Sequence, residues 1–247
     1  MKLGVVGSGP VIAALLVALG LSIVWAASSP VDDPYSAANI QWNGTSAIAE
    51  KGVISVTSDV AGMLSSENAP AALFIIEPTR RFTSAEADSI RDYVADGGLL
   101  VLSDSFGSGN DLLGLMGLPA RFDDRVLVDT LFYRKGPLFP LIVDIHPSGF
   151  MVGVKELVLD YASTLNVTAA SNVRVLAMST PFSFLDIDHD GEKGSAEPSG
   201  PFTVMAELSV GRGAVLLFSS PASFTNVMIG EGDNGLLVDN ILKHTSG

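Results

Sequence analysis

Residues 72–102 read ALFIIEPTRRFTSAEADSIRDYVADGGLLVL, and this stretch decides the fold. Ala72–Ile76 is a continuous apolar run, the pattern of a strand buried on both faces. Thr83 sits where a helix would begin, and Glu86 follows three residues later as the other half of a capping box. Ala87, Ile90, Tyr93 and Val94 recur at helical spacing and give that helix one apolar stripe. Gly97-Gly98 supplies a stop. Leu99–Leu102 is a second buried run. A strand, a helix and a strand joined by short loops predict a parallel pair with a right-handed crossover.

Working outward, a second helix is expected over Asp111–Met116. Short strands are expected at Arg125–Phe132, Leu141–Ile145, Glu156–Leu159, Val173–Met178, Phe202–Leu208 and Ala214–Ser219. Gly211-Arg-Gly213 reads as a tight turn, and a last helix spans about Asn234–His244. The expectation is an α/β fold: a mostly parallel sheet flanked by helices, with some antiparallel strands toward the C-terminal side. It would fill residues 37–247 as one domain. Residues 30–36, which contain Pro30-Val-Asp-Asp-Pro34, read as a linker.

Residues 1–29 differ in character. No charge occurs from Leu3 to Ala27, while Lys2 precedes the run and Asp32 and Asp33 follow it. About 20 apolar residues suffice to cross a bilayer. One N-terminal transmembrane helix is therefore expected, with the positive end in the cytoplasm and the domain outside the cell membrane. A cleaved signal sequence ending near Ala26-Ala27-Ser28 is the alternative. A dinucleotide fold fits poorly, although Lys2–Gly9 (KLGVVGSG) resembles a strand entering a Gly-rich turn. Ile12 occupies the third glycine position, and the acid expected about 20 residues later is missing. Asn43-Gly-Thr45 and Asn166-Val-Thr168 are acceptor sequons compatible with an outside location.

The chain carries 27 acidic and 14 basic side chains, for a formal charge of -13. Such a surface repels phosphate backbones, so nucleic acid is not an expected partner. It has no cysteine. That excludes disulfides, thiolate metal sites and a cysteine nucleophile.

Asp96–Asn110 (DGGLLVLSDSFGSGN) resembles the class 1 glutamine amidotransferase-like fold, related in layout to flavodoxin, in which GG precedes a strand ending at the active-site elbow. More narrowly, the chain resembles a family of prokaryotic, often archaeal, membrane-anchored proteins of the DUF4350 type. Asn39–Ser46 (NIQWNGTS), Ser103–Leu113 (SDSFGSGNDLL), Phe122–Phe132, Gly200–Ala206 (GPFTVMA) and Ser219–Asn240 carry that resemblance, over about Pro34 to Lys243. An amidotransferase of this fold needs a thiolate at the elbow. The chain offers Ser103, Asp104 and Ser105 there, so the resemblance implies the fold without the activity.

Two constellations could carry chemistry. Ligands of open α/β sheets sit beyond the carboxyl ends of strands. Glu77, Asp104 and Ser105 follow two expected neighbouring strands, and the family resemblance puts Asn39, Trp42 and Asn43 near them. These six residues could hold a sugar or a peptide. A serine nucleophile at Ser105 would need an imidazole, and His146, His189 and His244 lie in no recognisable motif. The second constellation is Asp186–Glu197, DIDHDGEKGSAE, which fits the D-x-D-x-D-G-x5-E calcium loop. Asp186, Asp188, Asp190 and Glu197 would give side-chain oxygens to a structural Ca2+, and Glu192 its carbonyl. Flanking Pro181 and Pro198 argue against a helix-loop-helix sensor.

The expected function is a non-catalytic, membrane-anchored extracytoplasmic binding or scaffold protein. Its partners would be the membrane, a membrane protein complex of envelope or transport machinery, or a glycan or peptide ligand. The alternative is a hydrolase acting on glycans or peptides through carboxylates such as Glu77 and Asp104.

Overall fold

The computed structural model describes residues 32–51, 60–64 and 70–244. Two short helices, α1 (Ser46–Ala49) and α2 (Val60–Leu64), precede the first strand. The βαβ unit follows as β1 (Ala72–Ile76), α3 (Ser84–Ala95) and β2 (Leu99–Ser103). Thr83 Oγ1 accepts from the Glu86 N–H at 3.2 Å, and Glu86 Oε2 accepts from the Thr83 N–H at 2.8 Å. Two otherwise orphaned donors are thus satisfied, and losing such a cap costs about 1 kcal/mol. Gly97, at φ +115°, ends α3 in a conformation that a side chain would strain. The Gly98 N–H closes the turn onto the Tyr93 carbonyl at 3.0 Å.

After α4 (Asn110–Leu115) the chain forms mostly short strands. These are β3 (Ala120–Phe122), β4 (Val126–Asp129), β5 (Leu141–Ile142), β6 (Asp144–Ile145), β7 (Leu157–Val158) and β8 (Leu165–Val167). Longer ones follow: β9 (Val173–Met178), β10 (Ser183–Asp186), β11 (Thr203–Val210) and β12 (Gly213–Phe218). A 3-10 turn over Pro221–Phe224 leads toward α5 (Asn234–His244).

The main sheet runs β1-β2-β12-β11-β8-β3, with β9 also on β11 and β6 on β9. Only β1, β2 and β12 are parallel neighbours. The pairs β11–β12, β11–β9, β11–β8, β3–β8 and β6–β9 are all antiparallel. Two small antiparallel sheets, β4–β10 and β5–β7, complete the architecture. The expected mostly parallel sheet flanked by helices, of amidotransferase or flavodoxin type, is therefore corrected to a mixed, sheet-rich fold with few helices. The reason is connection length. Parallel neighbours need long crossovers, whereas a two-residue turn at Gly211-Arg212 can only reverse the chain and pair β11 with β12 antiparallel.

The expected transmembrane segment, Leu3–Ala27, lies outside the described residues. Among those described, no helix is long and apolar enough to cross a membrane.

Period-two alternation divides the core. Leu100 and Leu102 of β2 pack with Ala87, Ile90 and Val94 of α3. Leu99 and Val101 face the other way, with Leu237, Val238 and Ile241 of α5. Each fully buried large apolar side chain contributes roughly 1.5–3 kcal/mol. The register that results sets Ile76, Ser103 and Phe218 side by side at the carboxyl ends of the parallel trio.

Candidate functional site

Because those three strands end level, the residues after them emerge together. Glu77 follows β1, Asp104 and Ser105 follow β2, and Ser219 follows β12. The Glu77 N–H still reaches the Ser103 carbonyl at 2.8 Å, but its φ of +46° turns the side chain out of the strand path. Glu77 Oε2 accepts from the Ser105 N–H and Oγ, each at 3.2 Å. Asp104 is fully buried. Its Oδ2 accepts from the Gly109 N–H at 2.6 Å. The amides of Ser105, Phe106 and Gly107 also face this carboxylate, yet none gives Oδ1 a hydrogen bond of good geometry.

Two residues the sequence did not single out complete the edge. Tyr35, half-buried, feels the charges of both Glu77 and Asp160. Burial first, and those two carboxylates second, push its phenol up to about 12. Burial raises Glu77, and the neighbouring Asp104 charge adds to it, while the Ser105 hydrogen bonds pull it back. Burial also raises Asp104 and Asp160, the latter opposed by Lys135. Isolated in sequence, Tyr35 and Asp160 give no periodic signal. Only the chain's return through space brings Glu77 and Asp160 within electrostatic reach of Tyr35.

Backbone strain marks the same place. Four non-glycine residues among those described have positive φ: Tyr35, Glu77, Tyr161 and His189. The first three belong to this edge and the fourth to the acidic loop. Such conformations cost about 1–3 kcal/mol each and gather at functional sites.

The loop bearing Asn39, Trp42 and Asn43 is held by its own amides. Asn39, fully buried, donates to the Asp33 carbonyl and to Asn43 Oδ1, both at 3.0 Å. Its Oδ1 accepts from the Gln41 N–H at 2.8 Å. Asn39 and Asn43 thus spend their side chains within the loop, and it is Tyr35 that feels the carboxylate charges. Gly44 is required here, since a Cβ would lie 1.9 Å from the Asn39 carbonyl oxygen. Trp42 is 69% exposed and leaves its indole open to solvent.

No histidine serves Ser105 among the described residues. His146 Nδ1 lies 3.1 Å from the Val175 carbonyl and His244 packs on the Phe150 ring, while His189 sits in the acidic loop.

In that loop, Asp186, Asp188 and Asp190 bring carboxylate oxygens within 4.8 Å of one another. Asp186 accepts from the His189 N–H at 2.7 Å and the Gly191 N–H at 3.1 Å. Glu197 accepts from Ile187 at 2.6 Å and Gly194 at 2.9 Å, and those amide bonds hold its carboxyl below the usual range. The donor set of the three aspartates suits a hard cation. Glu197 closes the loop against backbone and stands outside that trio, and Glu192 is exposed. An adjoining cavity of about 400 Å³ lies between Asp186, Gly191, Val126, Leu138 and Tyr161, so Tyr161 borders both sites. A larger cavity, about 900 Å³, opens at the far end of the sheet by Tyr93 and Arg212, away from this chemistry.

The fold has known counterparts. A structure described as "mmIFT52 N-terminal domain" is similar with a TM-score of 0.60 and 15% identity, over 77% of this chain and 82% of that one. A ThuA-like protein from Bacteroides uniformis is similar with a TM-score of 0.52 and 13% identity, over 81% and 82%. At such identities the likeness concerns the fold alone. No curated protein gives a significant match. The DUF4350 model, a domain of unknown function, matches residues 37–242, and the chain belongs to that family.

Proposed function

We propose that this protein is a non-catalytic, membrane-anchored binding module whose domain stands outside the cytoplasm. The carboxyl edge of β1, β2 and β12 would receive a glycan, a peptide or a component of envelope or transport machinery. One observation carries this reading: Tyr35, Glu77, Asp104 and Asp160 gather there from four separate stretches of chain, in strained and desolvated settings. The uncharged run Leu3–Ala27 supports the anchor. The aspartate trio supports a structural Ca2+ in the Asp186–Glu197 loop.

The test has two parts. Alkaline carbonate should leave the full chain with the membrane, and protease added outside intact cells should reach the domain. A glycan and peptide array probed with wild type and Glu77→Gln should show spots that the variant loses. Release by carbonate would remove the anchor, and an array indifferent to Glu77 would remove the site.

A second reading, a carboxylate-dependent hydrolase, draws on the raised carboxyls of Glu77 and Asp104. Asp104 has no exposed surface and is tied to the Gly109 amide, so it is poorly placed to meet a substrate. Turnover of chromogenic glycosides or peptides, lost in Glu77→Gln, would restore the enzyme reading.

A further inference from the structure

We propose that Ile40, Trp42 and Val227 form a rim that rests in the headgroup–acyl boundary of a zwitterionic lipid bilayer. This rests on the reading of Leu3–Ala27 as an anchor and adds to it how the domain is seated.

The first argument is apolar exposure on a fixed support. Ile40 is 71% exposed, Trp42 69% and Val227 44%. The Val227 N–H donates to the Trp42 carbonyl at 3.1 Å, so those two residues stand together. The carbonyls of Asn39 and Gln41 accept from the Asn226 side-chain amide at 3.0 and 2.6 Å. The Tyr35 N–H donates to the Asn43 carbonyl at 2.8 Å. A ring held out on backbone that is already ordered loses little entropy on contact. Those carbonyls are bonded inside the chain, so the loop meets an apolar phase without stranding them.

The second argument is reach, and it names the occupant. Asp33 is bound to this same loop, its carbonyl accepting from Asn39 Nδ2 at 3.0 Å. The chain from Ala27, where the uncharged run ends, to Asp33 spans at most about 20 Å. The headgroup layer takes roughly 5–8 Å of that. An anchored chain therefore keeps the loop within roughly 15 Å of the lipid surface at full stretch, and nearer otherwise. Tryptophan is enriched at the membrane–water interface, where its ring meets the acyl boundary and its N–H the headgroups. Charge selects the kind of contact. The chain has a formal charge of -13, and Asp32 and Asp33 are exposed beside the rim. Anionic headgroups would repel it, so the attraction is apolar and suits a zwitterionic surface.

The experiment places the full chain in phosphatidylcholine vesicles, plain or brominated on the upper acyl carbons, and reads tryptophan emission. Trp25→Phe leaves Trp42 as the sole tryptophan. A second reporter combines Trp25→Phe and Trp42→Phe with Phe182→Trp. Phe182 is 57% exposed and stacks on Phe132 at 5.8 Å, outside the loop and its clasp. Melting curves verify folding of both proteins. Bromine quenches only at near contact, so tethering alone does not suffice. The expected result is that Trp42 loses emission in brominated lipid while the Phe182→Trp reporter keeps it. Equal loss from both would mean general adhesion and overturn the proposal. No loss from Trp42, in a chain that alkaline carbonate leaves in the membrane, would overturn the lipid contact, keep the anchor and leave the rim to a protein partner. Release by carbonate would overturn the anchor and this contact with it.

Discussion

The side-chain amide of Asn226 donates to the Asn39 carbonyl at 3.0 Å, across 187 positions of sequence. It also reaches the Gln41 carbonyl at 2.6 Å, and its oxygen accepts from the Ala47 N–H at 2.9 Å. One side chain thus fastens the loop that carries Tyr35 to the end of the 3-10 turn. Asn226→Ala should cost roughly 2–4 kcal/mol, because it strands several backbone groups at once. Urea unfolding gives the number, and hydrogen exchange should quicken across residues 35–47. A loss under about 0.5 kcal/mol, the scale of an ordinary surface change, would mean the loop holds itself.

Tyr35 offers a direct check on the grouping of residues at this edge. Burial, Glu77 and Asp160 hold its phenol near 12. Either Glu77→Gln or Asp160→Asn should bring it down toward 10, measurable by tyrosinate absorbance in a Tyr93→Phe background. That background removes the other tyrosine pushed to about 12, which is raised by burial. A titration untouched by both variants would show that the three groups are not neighbours.

Glu77 sets a pH dependence of stability. Its folded pKa lies above the ordinary glutamate value of 4.5, so protonation favours the folded state. Below 4.5 the group is neutral in both states and exacts no penalty. As pH rises through the folded pKa, the unfolded chain gains a solvated charge that the folded chain resists, and stability falls. Glu77→Gln should therefore melt about 2 °C or more above wild type at pH 7.5, with the gap closing near pH 4. Comparing the two proteins at each pH cancels the other titrating groups. A gap that persists at pH 4 would assign the effect to packing instead of charge.

The acidic loop predicts a metal response. Millimolar Ca2+ should raise the melting midpoint of wild type relative to chelator, and Asp188→Ala with Asp190→Ala should abolish the rise. Saturation at about 100 times Kd adds roughly 2.7 kcal/mol. Identical midpoints in all conditions would leave the loop as an amide-capped turn.

The parts of this fold legible in the sequence were those written locally. The run at Ala72–Ile76, the Thr83–Glu86 box and Gly97-Gly98 specify a βαβ unit without outside help. Nothing in Gly213–Phe218 says that it pairs with Leu99–Ser103, because any fully apolar strand suits either neighbour. The extrapolation from one parallel pair to a mostly parallel sheet holds for β12 against β2 and fails beyond it, where the short turn sets β11 antiparallel to β12. Two- and three-residue strands such as β7 and β8 are too brief to show a period. The aspartate trio was legible because its spacing is its geometry. Tyr35 and Asp160 were not, since an edge assembled from four stretches leaves no mark in any one of them.

The Asn226 clasp also gives the molecule a direction in time. Residues 39–47 leave the ribosome long before position 226 exists, and until it arrives only their local hydrogen bonds, such as Tyr35 N–H to the Asn43 carbonyl, hold them. The βαβ unit, with its neighbours close in sequence, has no such wait. The carboxyl edge of β1, β2 and β12 is thus flanked by this loop in its final place only after position 226 has been made, so a chain cut short before Asn226 would be born with an open wall.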